Sequence, residues 1–230
     1  MFFGYPDWTM ALVLPAFALA LYAQFKVRST FQKYSQVRTA RGRTGAEVAA
    51  ELLTRRGASD VKVEPVEGML SDHYDPRKKV LRLSPEVYGS DSVAAVGVAA
   101  HECGHALQDK EHYPALALRS AIVPVAGLIT TAAIPLFFIG LIANMRPLMD
   151  LGILFFLGYV AFSLITLPVE FDASRRAVMV LQGEGLVMPA EADGVRAVLN
   201  AAALTYIAAA AMAITQLLRL LVLRNMRDSE

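Results

Sequence analysis

Apolar residues are concentrated in four long stretches of the chain, at residues 8–25, 121–143, 149–168 and 201–222. A helix of roughly 20 apolar residues is long enough to cross the hydrocarbon core of a bilayer. Each stretch approaches or reaches that length. The pattern therefore predicts about four transmembrane helices.

Shorter patterns between the first two stretches predict a small α+β region. Thr44 and Glu47 have the spacing of a capping box, so we expect a helix to begin there. Residues 61–64 and 79–83 alternate between apolar and polar positions, as strands do. The turn-rich segment 68–76 joins these two runs. We therefore expect a short β-hairpin.

Composition agrees with a mainly α, integral membrane protein. Hydrophobic residues make up 55% of the chain and charged residues 19%, against roughly 45–50% and 25% in soluble domains. A net charge of +1 provides no basic face for nucleic acid, so we expect no nucleic-acid partner. The single cysteine, Cys103, excludes an intramolecular disulfide.

The charges that flank the first stretch predict its orientation. Ala18–Ala20 resembles a signal-peptidase site, but Asp7 stands where a signal peptide carries positive charge. Basic residues follow the stretch instead, between Lys26 and Arg43. By the positive-inside rule, residues 1–25 are a retained anchor and the following segment is cytoplasmic.

The sequence His101-Glu102-Cys103-Gly104-His105 is an H-E-x-x-H motif inside a predicted helix. Residues four apart lie on the same helix face, so both imidazoles can reach one Zn²⁺ ion. Glu102 can then act as general base towards a zinc-activated water. Cys103 lies about 200° around the helix from His101 and should face the core.

A catalytic zinc site needs a third protein ligand, and Glu170 is the best candidate. It directly follows the third apolar stretch. Two predicted spans separate it from His105, so both residues should lie on the same side of the membrane. His73 and His112 are the remaining histidines.

Three segments together resemble the YugP-like family of neutral zinc metallopeptidases: residues 101–105, 72–77 and 167–171. The resemblance covers residues from about 44 to 221. It implies a bacterial membrane protein with zinc, Glu102 as base, and Glu170 as third ligand on a separate helix, as in gluzincins. The resemblance of residues 72–77 also makes His73 a candidate for a catalytic hydrogen bond to the scissile carbonyl; the alternative is a surface-loop histidine with local turn contacts.

The more distant HtpX-like membrane peptidases carry an aspartate four residues after the ligand glutamate, where this chain has Ser174. The residue that orients His101 is therefore left open between Ser174 and Asp172.

Together these observations predict an endopeptidase embedded in the bacterial plasma membrane, multi-pass, with peptide or membrane-protein substrates and the bilayer as partner. The expected domains are an anchor at 1–25, a cytoplasmic zincin-like region at 26–120, a transmembrane hairpin at 121–168, a segment with the third ligand at 169–200, and a last span with its tail at 201–230.

Two alternatives remain. A site-2-type intramembrane protease would take an aspartate as third ligand, and Asp150 is the candidate. A non-catalytic membrane scaffold would hold zinc structurally, but it would have no use for Glu102.

Overall fold

A computed structural model describes residues 8–228 of the chain. A short 3₁₀ helix at Trp8–Leu12 precedes seven α-helices and three strands. In chain order these are α1 (Leu14–Ser35), α2 (Gly45–Arg55), β1 (Lys62–Pro65), β2 (His73–Asp75), β3 (Val80–Leu83), α3 (Pro85–Tyr88), α4 (Val93–Lys110), α5 (Pro114–Ile142), α6 (Arg146–Gly183) and α7 (Pro189–Asp228). Asp7, which the orientation of the first stretch depends on, lies outside the described residues.

Three of the described helices, α5, α6 and α7, are long and apolar enough to cross a membrane. The prediction of about four such helices was wrong for the first stretch. There the apolar residues are divided between the 3₁₀ helix and α1. The apolar part of α1 ends at Ala23, about 15 Å along the helix, before Gln24, Lys26 and Arg28. That is about half the thickness of the hydrocarbon core.

The chain divides into two compact units. Unit 1 comprises residues 1–23, 118–167 and 205–230, as far as these are described. In it the α5 and α6 segments pack against each other as a helical hairpin; its crossing of the membrane stays a prediction. A Cβ at Gly152 would come within 2.7 Å of the Phe137 backbone nitrogen, so glycine is required for this close approach. Asp150 pairs with Arg224 at 2.7 Å in the same unit.

Unit 2 comprises residues 24–117 and 168–204 and contains a three-stranded sheet of order β1-β3-β2. The two predicted strands, β1 and β3, pair in parallel, so they do not form the expected hairpin. The hairpin is formed instead by β2 and β3, which are antiparallel. Strand β2 lies inside the turn-rich segment, where the mostly polar residues show no alternation that would predict a strand.

Two N-caps place the helices of unit 2. The Thr44 side chain and Glu47 form the complete capping box that the sequence predicts for α2. The Ser92 hydroxyl accepts a hydrogen bond from the Ala95 backbone and starts α4. Apolar side chains of α2 and α4 then form the core of this unit with strands β1 and β3 and segments of α6 and α7. Helix α4 is therefore held on nearly all sides.

Candidate metal centre

Helix α4 carries both motif histidines on one face, as their spacing predicts. The imidazole rings of His101 and His105 have centroids 4.8 Å apart and are nearly perpendicular, at 84°. His105 is buried, and only 13% of the His101 side chain is exposed. The first turns of α4 are almost entirely buried alanine and valine. This packing fixes the helix and so the direction of both rings.

Glu170 on α6 meets these rings. Its Oε2 atom lies 3.2 Å from His101 Nε2 and 3.6 Å from His105 Nε2. One ligand atom from each of the three residues lies within 4.8 Å of the others, and Glu170 is buried. The structure thus brings together the three residues that the sequence predicts as ligands.

The three side chains fit a zinc ion. Two ligand atoms that each lie about 2.1 Å from a tetrahedral zinc are about 3.4 Å apart. The separations of 3.2 and 3.6 Å between the carboxylate oxygen and the imidazole nitrogens match that value. Two histidines with one glutamate are also a donor set found in catalytic zinc sites, which leave one position open.

Gly104 allows α4 and α6 to approach closely enough for this arrangement. A Cβ at Gly104 would lie 2.5 Å from the Ala173 carbonyl oxygen, a distance that no side chain could tolerate. The glycine stands between the two histidines, and Ala173 stands one turn after Glu170. A larger residue would separate the ligands of the two helices.

Gln108 determines which nitrogen of His105 faces the metal position. Its amide nitrogen donates to the Val169 carbonyl at 2.8 Å and to Asp172 at 2.9 Å. The amide oxygen therefore points at His105 Nδ1, 3.0 Å away, and must accept a hydrogen from it. In the neutral ring Nδ1 therefore carries the proton, which leaves the lone pair of Nε2 for a metal ion.

Ser174 is the partner of His101. Its hydroxyl oxygen lies 3.1 Å from His101 Nδ1. Of the two candidates, Ser174 is therefore the residue that contacts His101. Asp172 instead supports His105, through Gln108. Asp172 also pairs with Arg175 and Arg176. Such supporting contacts orient the ligands and raise their basicity.

The charges around His105 favour a proton on the ring in the metal-free site. Burial lowers the pKa of His105, but the carboxylates of Glu170 and Glu102 outweigh this effect and raise it above its usual value. Glu102 is buried. Among the described residues its carboxylate makes no hydrogen bond or ion pair, and it belongs to no metal-ligand group.

The other predicted residues lie elsewhere. His73 is exposed at the start of β2, where Nδ1 donates to the Ser71 carbonyl at 2.7 Å and Nε2 faces Arg82 at 3.3 Å. Its catalytic role stays a prediction. Cys103 is fully buried in the core beside the Ala49 carbonyl, as expected, and burial raises the pKa of its thiol. Asp150 pairs with Arg224 in unit 1 and is not in the group of ligands.

Gln108 is a residue of the site that the sequence motifs do not predict. It stands three residues after His105, on the same face of α4. That spacing was the available signal. Its full burial, at 0% exposure, could not be read from the pattern.

Comparison with known proteins gives one family. A sequence profile of the family described as "Putative neutral zinc metallopeptidase" matches residues 9–225. A protein of Bacillus subtilis (strain 168), named "Putative membrane protease YugP", is 49% identical over 218 residues, which cover 94% of this chain and 97% of that protein. No solved structure matches the chain.

Proposed function

Since the chain belongs to this neutral zinc metallopeptidase family, we propose that it is a zinc-dependent endopeptidase of the bacterial plasma membrane. The three helices of the described part that are long and apolar enough to cross a membrane, together with the name of the Bacillus relative, support the membrane location. The basic residues between Lys26 and Arg43 no longer flank a candidate span, but they lie in the segment before the first of these helices, and such an excess of positive charge supports an active site on the cytoplasmic side.

One observation carries this proposal: His101, His105 and Glu170 converge from two helices, with both Nδ1 atoms held by neighbouring side chains. This arrangement leaves both Nε2 atoms and one carboxylate oxygen for a metal. A zinc ion bound there would polarise the scissile carbonyl and lower the pKa of water.

Glu102 is assigned the proton transfers. It accepts the proton of the attacking water and passes it to the leaving amine. Its position supports this role, because Glu102 directly follows His101, its charge acts on His105, and its carboxylate has no structural partner among the described residues. His73 is assigned the hydrogen bond to the substrate carbonyl, for which its ring must exchange its contacts with Ser71 or Arg82.

The decisive experiment replaces Glu102 by glutamine and measures zinc content and peptide hydrolysis together. We expect hydrolysis to be lost and zinc to remain, because Glu102 is a base and not a ligand. A Glu102→Gln protein that loses its zinc would contradict the assignment. A wild-type protein that binds zinc but cleaves no peptide or membrane protein would support the non-catalytic scaffold.

A second pair of variants tests the third ligand. Glu170→Ala should empty the site or weaken zinc binding severely, because two protein ligands remain. Asp150→Ala is the matched control, since its carboxylate pairs with Arg224 in unit 1. If instead Asp150→Ala loses zinc while Glu170→Ala keeps it, the site-2-type mechanism is correct.

A further inference from the structure

A groove between α6 and α7 adjoins the candidate metal centre within unit 2. It encloses about 340 Å³. One wall is formed by residues of α6 at helical spacing, among them Phe171, Ser174 and Val178, and the other by Leu199 and Ala203 of α7. Ligand pockets of this kind range from about 300 to 1,000 Å³, so the groove has room for one side chain of a substrate.

The groove begins one side chain away from the proposed ligands. Ser174 forms part of its wall, and the same hydroxyl holds His101 Nδ1 at 3.1 Å. Phe171, also in the wall, directly follows Glu170 in α6. The groove and the candidate metal centre therefore share the Ser174 side chain and adjacent residues of α6.

The walls are mainly apolar. Val178, Met179, Leu199 and Ala203 present aliphatic or thioether surface. An apolar cavity of about 150 Å³ already accepts a benzene molecule. The groove is larger, so a leucine or phenylalanine side chain fits without displacing the walls.

The charges of the groove are all positive. Arg175 and Arg196 line it, and none of the described aspartates or glutamates does so. Arg196 pairs with Asp193 at 2.8 Å, with 46% and 77% of the two side chains exposed. Exposed pairs of this kind are weak, so the guanidinium can exchange its partner for a substrate carboxylate. Arg175 can do the same, because Asp172 keeps Arg176 and Gln108.

We propose that this groove is a substrate subsite, which takes an apolar side chain next to the cleaved bond and binds an adjoining carboxylate through Arg196 and Arg175. The preferred substrates are then peptides with an apolar residue followed by an acidic one. This inference rests on the proposed peptidase function and adds its specificity.

The test uses peptide pools that differ at two fixed positions: Leu-Glu, Leu-Gln, Leu-Lys and Ala-Glu. Cleavage is measured with the zinc-loaded wild-type protein, and binding with the zinc-loaded Glu102→Gln variant. We expect the Leu-Glu pool to bind and to be cleaved about three- to fivefold better than the Leu-Lys pool, the size of one partly exposed charge interaction.

Arg196→Gln should weaken the preference for the Leu-Glu pool over the Leu-Lys pool, since Arg175 remains, and Arg196→Glu should abolish it. Lys62→Glu is an equal charge reversal on β1, outside the groove. It should leave the preference for the Leu-Glu pool unchanged. Asn200→Trp fills the groove from an exposed position. It should weaken the binding of the Leu-Glu pool and leave the binding of the Ala-Glu pool unchanged.

Each result decides between the two proposals. If Glu102→Gln binds the pools with the expected order but the wild type cleaves none of them, the subsite stands and the peptidase function fails. If cleavage occurs but Arg196→Glu leaves the order of the pools unchanged, the subsite is refuted while the peptidase function stands. Equal binding of all four pools also refutes the subsite.

Discussion

Replacing Gln108 by leucine removes the side chain that holds His105, at nearly constant volume. Gln108 is fully buried and makes three hydrogen bonds, one to His105 and two to α6. The substitution leaves the imidazole free to rotate and to exchange its tautomer. Zinc then has to fix the ring before it can bind.

The structure indicates the size of the effect. The Val169 carbonyl lies inside a helix and Asp172 keeps two arginines, so only His105 Nδ1 loses its partner. One buried unsatisfied donor costs about 1–3 kcal/mol. Loss of a contact that orients a metal ligand reduces affinity about 10–100-fold. We expect the zinc affinity of Gln108→Leu to fall by that factor.

The assay is a competition between the protein and a chelator at buffered free zinc, combined with thermal unfolding of the metal-free protein. Gln182→Leu is the matched control, since Gln182 lies on α6 and bonds Arg196 and not a histidine. Gln108→Glu is informative as well. Its carboxylate still accepts from His105, so it should keep more affinity than leucine, although it faces Asp172 and lowers stability.

Gln108→Leu with the zinc affinity of the wild type would refute the reasoning, because the Nδ1 contact would then contribute nothing to the ligand. A fall of equal size in Gln182→Leu would show that the effect comes from general loosening of α6.

Three further predictions follow from the same region. Gly104→Ala should lower the free energy of unfolding by about 1–3 kcal/mol and weaken zinc binding, because its Cβ would press on the Ala173 carbonyl; urea unfolding checks this, and Gly97→Ala, with a nearest contact of 3.3 Å, should cost less. Zinc affinity should fall steadily as the pH drops through the raised pKa of His105, since the ring must lose a proton to bind zinc. Zinc titrations between about pH 8 and 5.5 measure this fall. In the metal-free protein the same proton stabilises the fold, and that stability is lost as the pH rises through the pKa of His105. Cys103 should not react with iodoacetamide in the folded protein, because it is fully buried and burial raises the pKa of its thiol; mass spectrometry of native and urea-unfolded samples decides, and rapid labelling of the native protein would contradict the packing.

The sequence predicted most of what depends on local spacing. The capping box at Thr44 and the helical period that aligns His101 with His105 are set by residues three or four positions apart, and both are present in the structure. Glu170 could be chosen as the third residue because it follows an apolar stretch and is separated from His105 by two spans, which limits where it can lie.

The predictions that failed depend on the competition between distant segments. Strands β1 and β3 pair in parallel because β2 lies between them in the chain and forms the antiparallel hairpin with β3. Strand β2 has only three residues and no apolar alternation that would predict it. The first apolar stretch is not one of the described helices that could cross a membrane, because its residues are shared between a 3₁₀ helix and the first turns of α1.

The sequence by itself determined which residues can carry the chemistry: two imidazoles on one helix face, a carboxylate beside them, and a second carboxylate after a span. Only the tertiary structure decided what orients them. Ser174 contacts His101, and Val169 and Asp172 of α6 orient Gln108 towards His105, because Gly104 allows α4 and α6 to approach closely. A hydrogen bond between helices depends on their separation and rotation. Both are set by the packing of many side chains at once, which no local pattern encodes.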